Sequence, residues 1–125
     1  MKYFVSITIL LLASCAHSQN CENLDNMNEI NICFGTQLTK LENQIKAIVS
    51  QYSDTLPKPN ELKEAQSAWE KYRNLHCKNS ARIFDGGTQF GLAVLQCKIN
   101  MSKSRLSILE ADYEIALNII KNGSP

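Results

Sequence analysis

The chain has 125 residues, with 13 basic and 12 acidic side chains, a formal net charge of +1 and 44% hydrophobic residues. That length holds one small domain, and the balanced charge argues against a nucleic-acid binder, which needs a basic stripe.

The first element is Met1–Cys15, MKYFVSITILLLASC. One basic residue followed by a short apolar run is too short to span a bilayer and has the form of an export signal. Two processing routes fit. Leu12-Ala13-Ser14-Cys15 resembles the bacterial lipobox, in which Cys15 is lipidated and becomes the first mature residue. Ala16-His17-Ser18 also has the form of an ordinary cleavage site, which would release the chain after Ser18. The working division is a lipoprotein signal over 1–15, a tether over 16–26 and a helical domain over 27–125. It places the protein in the bacterial envelope, in the periplasm, with a lipid anchor in the outer membrane.

Loss of Lys2 with the signal leaves the mature chain close to neutral. Its acidic residues gather in two places. Glu22, Asp25 and Glu29 suit a helix N-terminus, and Glu110, Asp112 and Glu114 read as a solvated face. Either group would also attract a basic partner.

Helical periodicity runs through the rest of the chain. Ile30, Phe34, Leu38, Leu41, Ile45, Ile48 and Tyr52 recur at spacings of four and three, and Asp25 or Asn26 can cap this first helix, which ends near Ser53. Leu56-Pro57-Lys58-Pro59-Asn60 breaks it, with Asn60 as the expected cap of a second helix over about 61–79. On that helix Leu62, Ala65, Trp69, Tyr72 and His76 share one face, with Gln66 and Arg73 at its edge. Asp85-Gly86-Gly87-Thr88 turns the chain, and Thr88 is a possible cap for a third helix over about 89–121.

The third helix carries two apolar stripes. Leu92, Leu95, Ile99, Leu106, Leu109, Tyr113, Leu117 and Ile120 form one; Val94, Cys97, Met101, Ile108, Ile115 and Ile119 form the other. Such a helix either lies between its two neighbours or offers its far half to another chain, which makes a homodimer a possibility. The expected architecture is an all-α, up-down-up three-helix bundle.

Cys21, Cys33, Cys77 and Cys97 in a small exported domain read as two disulfides, and their spacings are too wide for a typical metal site. Three pairings exist. Cys21–Cys33 with Cys77–Cys97 closes the shortest loops, and a bundle brings all four to one end. Each bridge is expected to add roughly 3 kcal/mol by restricting the unfolded chain.

No catalytic constellation stands out. His76 and Cys77 are adjacent, but neighbouring helical residues point about 100° apart and an oxidised sulfur is no nucleophile. The carboxylates of Glu110–Glu114 have no aromatic sugar cleft around them. No HExxH, GxSxG or phosphate loop occurs, so neither an enzyme nor a cofactor or metal is expected.

The most specific signal is Gln66-x-x-Trp69-x-x-x-Arg73-x-x-x-Cys77. It sets an amide, an indole, a guanidinium and a half-cystine along one side of a helix. Arg73 can stack on Trp69 or pair with a carboxylate of the first helix. With Cys21 and Cys33 ahead of it, and Gly86-Gly87, Cys97 and Arg105-x-x-x-Leu109 after it, this order resembles the exported LprI-type family. The resemblance implies a small helical, disulfide-bonded envelope domain, in a family named for a member that inhibits lysozyme. Gln66, Trp69, Arg73, Arg105 and Leu109 read as structural.

The expected function is therefore steric blockade of a cell-wall hydrolase such as lysozyme, with Asp85, Gly86, Gly87 and Thr88 as candidate contacts. The alternatives are an immunity or accessory protein for one toxin or envelope partner, and a structural module that dimerises through the third helix.

Overall fold

The computed structural model describes residues 20–123. Cys15 and the two cleavage sites lie outside the described residues. Three helices follow one another up, down and up: α1 (Met27–Ser53), α2 (Pro59–Ser80) and α3 (Phe90–Asn122). Two short 3-10 turns, Cys21–Asn23 and Ala81–Phe84, were not foreseen from periodicity. Each is too short to carry a period.

Helix boundaries follow local chemistry. Asn26 caps α1, its side chain accepting from the Asn28 N–H at 2.8 Å. At the other end the Ser53 and Thr55 hydroxyls donate to the carbonyls of Ser50 and Tyr52, which also accept from the backbone N–H groups of Asp54 and Thr55. Asn60 is not the cap of α2. The helix begins one residue earlier at Pro59, whose fixed φ and missing N–H suit a first helical position. Thr88 does not cap α3 either. Gln89 holds that position without a side-chain cap, and the Phe90 and Ala93 N–H groups donate to the Gly87 and Gln89 carbonyls.

The core has two apolar clusters. Cys21, Phe34, Leu38 and Ile99 are buried at one end, with Ile30, Cys33, Leu41, Leu92 and Leu95 around them. Ile45, Val49 and Leu109 are buried at the other, with Ile48, Tyr52, Leu62, Trp69 and Leu106 around them. Both disulfides, Cys21–Cys33 and Cys77–Cys97, form. The first draws Cys21, on the segment read as a tether, into the apolar cluster beside α1.

Between the clusters lies a polar layer. Arg73, only 4% exposed, donates to Ser102 Oγ of α3 at 2.8 Å and to Glu42 Oε1 of α1 at 2.7 Å. Its guanidinium carbon sits 5.2 Å from the Trp69 ring centre, and that of Arg105 sits 5.7 Å away. Arg105 Nε donates to Gln66 Oε1 at 3.0 Å, and Gln66 Nε2 donates to Glu70 at 3.2 Å.

This layer corrects the expected face of α2. The buried residues are Gln66, Arg73 and Cys77, whereas Ala65, Tyr72 and His76 are exposed. The helix is rolled by roughly 60° from the orientation that hydropathy alone suggests, at 100° per residue. The cause is that Arg73 finds its counter-charge and hydroxyl inside, and Cys77 is tied to Cys97. A paired guanidinium and a half-cystine outweigh the gain from burying a tyrosine.

Helix α3 packs on both α1 and α2 as far as Tyr113, whose ring lies 5.9 Å from Tyr52. Past that level α1 has ended, and of the α3 residues beyond Tyr113 only Ala116 is half-buried.

Because α2 buries so little apolar surface, its docking depends on Arg73 and on the Cys77–Cys97 bridge. Arg73→Ala should cost about 2–4 kcal/mol in chemical denaturation, since it strands the buried Ser102 hydroxyl and empties the layer. Replacing Cys77 and Cys97 by alanine should cost about 3 kcal/mol and exceed the loss from replacing Cys21 and Cys33, which pin only a terminal turn. Equal losses from the two pairs would show that α2 is held by other contacts.

Candidate partner-binding loop

The connection from α2 to α3 is built rather than slack. Ala81 is buried and anchors its start, one turn after Cys77. The Cys77–Cys97 bridge, with Cα atoms 5.5 Å apart, clamps its base. Within it the Asp85 N–H donates to the Arg82 carbonyl at 3.0 Å and the Gly87 N–H to the Phe84 carbonyl at 2.9 Å. Gly86 has φ +76°, a conformation that disfavours any side chain. At Gly87 a Cβ would come 3.1 Å from the Phe84 carbonyl oxygen, so both glycines have a steric reason to be there.

The loop displays its side chains to solvent. Ile83 is 84% exposed, the highest value among the exposed large hydrophobic residues, and Phe84 is 41% exposed. Arg82 and Asp85 flank them, joined by a solvent-exposed ion pair at 3.5 Å. Such a pair contributes little and is readily surrendered to a partner. An apolar tip between two opposite charges on a braced turn is suited to insertion into a cleft, because little conformational freedom is left to lose on binding.

Glu22, Asp25 and Glu29 are exposed at the same end of the bundle, since Cys21 and Ile30 share a cluster with Leu92 and Leu95 at the start of α3. Glu110, Asp112 and Glu114 are exposed toward the opposite end.

The residues singled out in the sequence therefore separate into two groups. Gln66, Trp69, Arg73, Arg105 and Leu109 come together in the interior, with Leu109 fully buried. Asp85, Gly86, Gly87 and Thr88 come together on the exposed loop. Ile83 and Phe84 were missed. Their signal is an apolar pair just ahead of Asp-Gly-Gly that belongs to no inward stripe.

The remaining chemistry is sparse. Cys77 is disulfide-bonded, and His76 stacks on Tyr72 with ring centres 5.5 Å apart. Among the described residues, no group of three or more His, Cys, Asp or Glu side chains is placed to hold a metal.

The fold and loop define a small disulfide-braced helical bundle whose most distinctive surface is a rigid exposed turn. The family model for the lysozyme inhibitor LprI matches residues 18–109, and the chain belongs to that family. That span takes in both disulfides, the polar layer and the loop, and its described part stops at Leu109, short of the last turns of α3. No curated protein and no solved structure matches the chain.

Gly86→Val should leave the bundle folded while costing about 1–2 kcal/mol through the strained backbone. Hydrogen exchange should then quicken at Asp85 and Gly87 and remain unchanged at Ile45 and Leu109. Unaltered exchange at the loop would show that it tolerates a side chain there.

Proposed function

We propose that this protein is an exported inhibitor that binds a cell-wall hydrolase of the lysozyme class and blocks its substrate cleft sterically with the Arg82–Thr88 loop. The observation that carries the reading is Ile83. A branched aliphatic side chain left 84% exposed at the tip of a hydrogen-bonded, disulfide-clamped turn has no role in this fold. Membership of an inhibitor family supplies the partner class. Phe84 and Asp85 extend the contact, and the protein performs no chemistry of its own.

Several features support the placement. Disulfides persist in oxidising compartments outside the cytosol, where such hydrolases act. Among the described residues no helix is long and apolar enough to cross a membrane. We propose lipidation of Cys15 as the anchor. Acidic Glu22, Asp25 and Glu29 on the loop's end of the bundle would speed encounter with a basic enzyme and make association sensitive to salt.

The test is inhibition of purified lysozymes of several classes. Ile83→Asp should raise the inhibition constant about tenfold or more, with an unchanged melting curve, because a central apolar anchor is typically worth more than 1 kcal/mol. Raising ionic strength should slow association more than dissociation. If the wild-type protein neither binds nor inhibits any class, the inhibitor reading is wrong. If wild type inhibits and Ile83→Asp does so equally, only the assignment of the loop is wrong.

A further inference from the structure

We propose that the groove between α2 and α3 beside Arg105 binds a small monocarboxylate with an apolar body, of the size and chemistry of an N-acylated aliphatic amino acid. The groove measures about 380 Å³ and is lined by Trp69 from α2 and by Asn100, Met101, Ser104, Arg105 and Ile108 from α3. A groove of that volume can take a small molecule. Two of its features have no role in packing the bundle: a cation without a counter-charge and an apolar side chain without a cover.

The cation is Arg105. It is half-buried, its Nε donates to Gln66 Oε1 at 3.0 Å, and its guanidinium carbon lies 5.7 Å from the Trp69 ring centre. Both neighbours are neutral. Among the described residues no carboxylate forms an ion pair with Arg105, and its two terminal nitrogens have no hydrogen-bond partner. Glu70 is engaged elsewhere, accepting from Gln66 Nε2 at 3.2 Å. Arg73 differs, because Glu42 neutralises it. A partly desolvated guanidinium gains by recovering a counter-ion, and its side-by-side terminal donors match the two oxygens of a carboxylate. The bond to Gln66 and the indole hold the guanidinium in advance, so little freedom is lost on binding. One uncompensated charge suits a monoanion.

The uncovered apolar side chain is Ile108, 52% exposed and one turn after Arg105. With half-buried Met101 and Trp69 it gives the same groove an apolar wall. Polar groups complete the lining. Ser104 Oγ donates to the Asn100 backbone carbonyl at 3.2 Å, which leaves its oxygen able to accept, and the Asn100 side-chain amide has no partner among the described residues. The N–H and C=O of an acylated amine would meet them. The groove lies about 20 Å along α3 from Phe90, at 1.5 Å per residue, so it is separate from the Arg82–Thr88 loop and stands independently of the lysozyme reading.

Trp69 is the only tryptophan of the chain and lines the groove, so its fluorescence reports occupancy. Titration of the full chain with N-acetyl-leucine at constant ionic strength should give a saturable change with a dissociation constant near 1 mM, about what a ligand of that size supplies. N-acetyl-leucinamide, which lacks the charge, and acetate, which lacks the apolar body, should each bind about tenfold more weakly or worse. Arg105→Gln should lose binding by about the same factor. Ile108→Glu, outside the polar layer, replaces the apolar wall with a carboxylate one turn from the guanidinium. It should keep the melting curve and also lose binding about tenfold, which settles the matter even if Arg105→Gln unfolds. The proposal is overturned if N-acetyl-leucine leaves the fluorescence unchanged up to about 20 mM, if the amide binds as tightly as the acid, or if Ile108→Glu binds like wild type.

Discussion

A guanidinium at the meeting point of three helices is tolerable only if its charge and its donors are met where it sits. Arg73 meets its charge and its terminal N–H groups with one partner from each element, Glu42 on α1, Ser102 on α3 and the Trp69 ring on its own helix, while its buried Nε has no hydrogen-bond partner. The layer therefore sets the roll and the axial register of α2, which the few apolar side chains on that helix leave undetermined. It also divides the core into two apolar clusters that each pack largely between α1 and α3.

The same register reaches the surface. Cys77 is one turn beyond Arg73, so fixing the roll of α2 presents Cys77 to Cys97 and clamps the base of the following loop. The rigidity of the Arg82–Thr88 turn is thus inherited from a buried arginine about two turns away. Stability resides in the middle of the molecule, where the Arg105 groove is left open between α2 and α3, and the loop sits at an end, where side chains are not needed for packing. That end displays a constrained turn with an apolar tip, and the other a helix that outruns its cover.

Charge follows this division. Arg73 is neutralised by the Glu42 carboxylate, whereas half-buried Arg105 meets only a neutral amide and an indole. Exposed lysines are spread over all three helices, while the exposed acidic residues include one local cluster at the loop's end of the bundle and one toward the far end. A near-neutral chain can therefore still steer a basic partner.

Much of this was readable along the chain. The four-three spacing from Ile30 to Tyr52, the proline break and the double glycine are local signals, and each acts through its own neighbours. Three helices and their order followed from them; the disulfide pairing stayed open among three, with the sequential one favoured by its shorter loops, and the structure has that one. What the chain alone determined was therefore the inventory: which segments are helical and about where they stop. Hydropathy misplaced the inward face of α2 because it counts arginine as a surface residue, and Glu42 and Ser102 are 31 and 29 residues away in sequence. Only the folded arrangement decided which carboxylate and hydroxyl meet Arg73, that Ala65, Tyr72 and His76 face solvent, and that Ile83 and Phe84 belong outside. Each of these depends on which distant residues come within a few ångströms, and that information exists only once the helices have met.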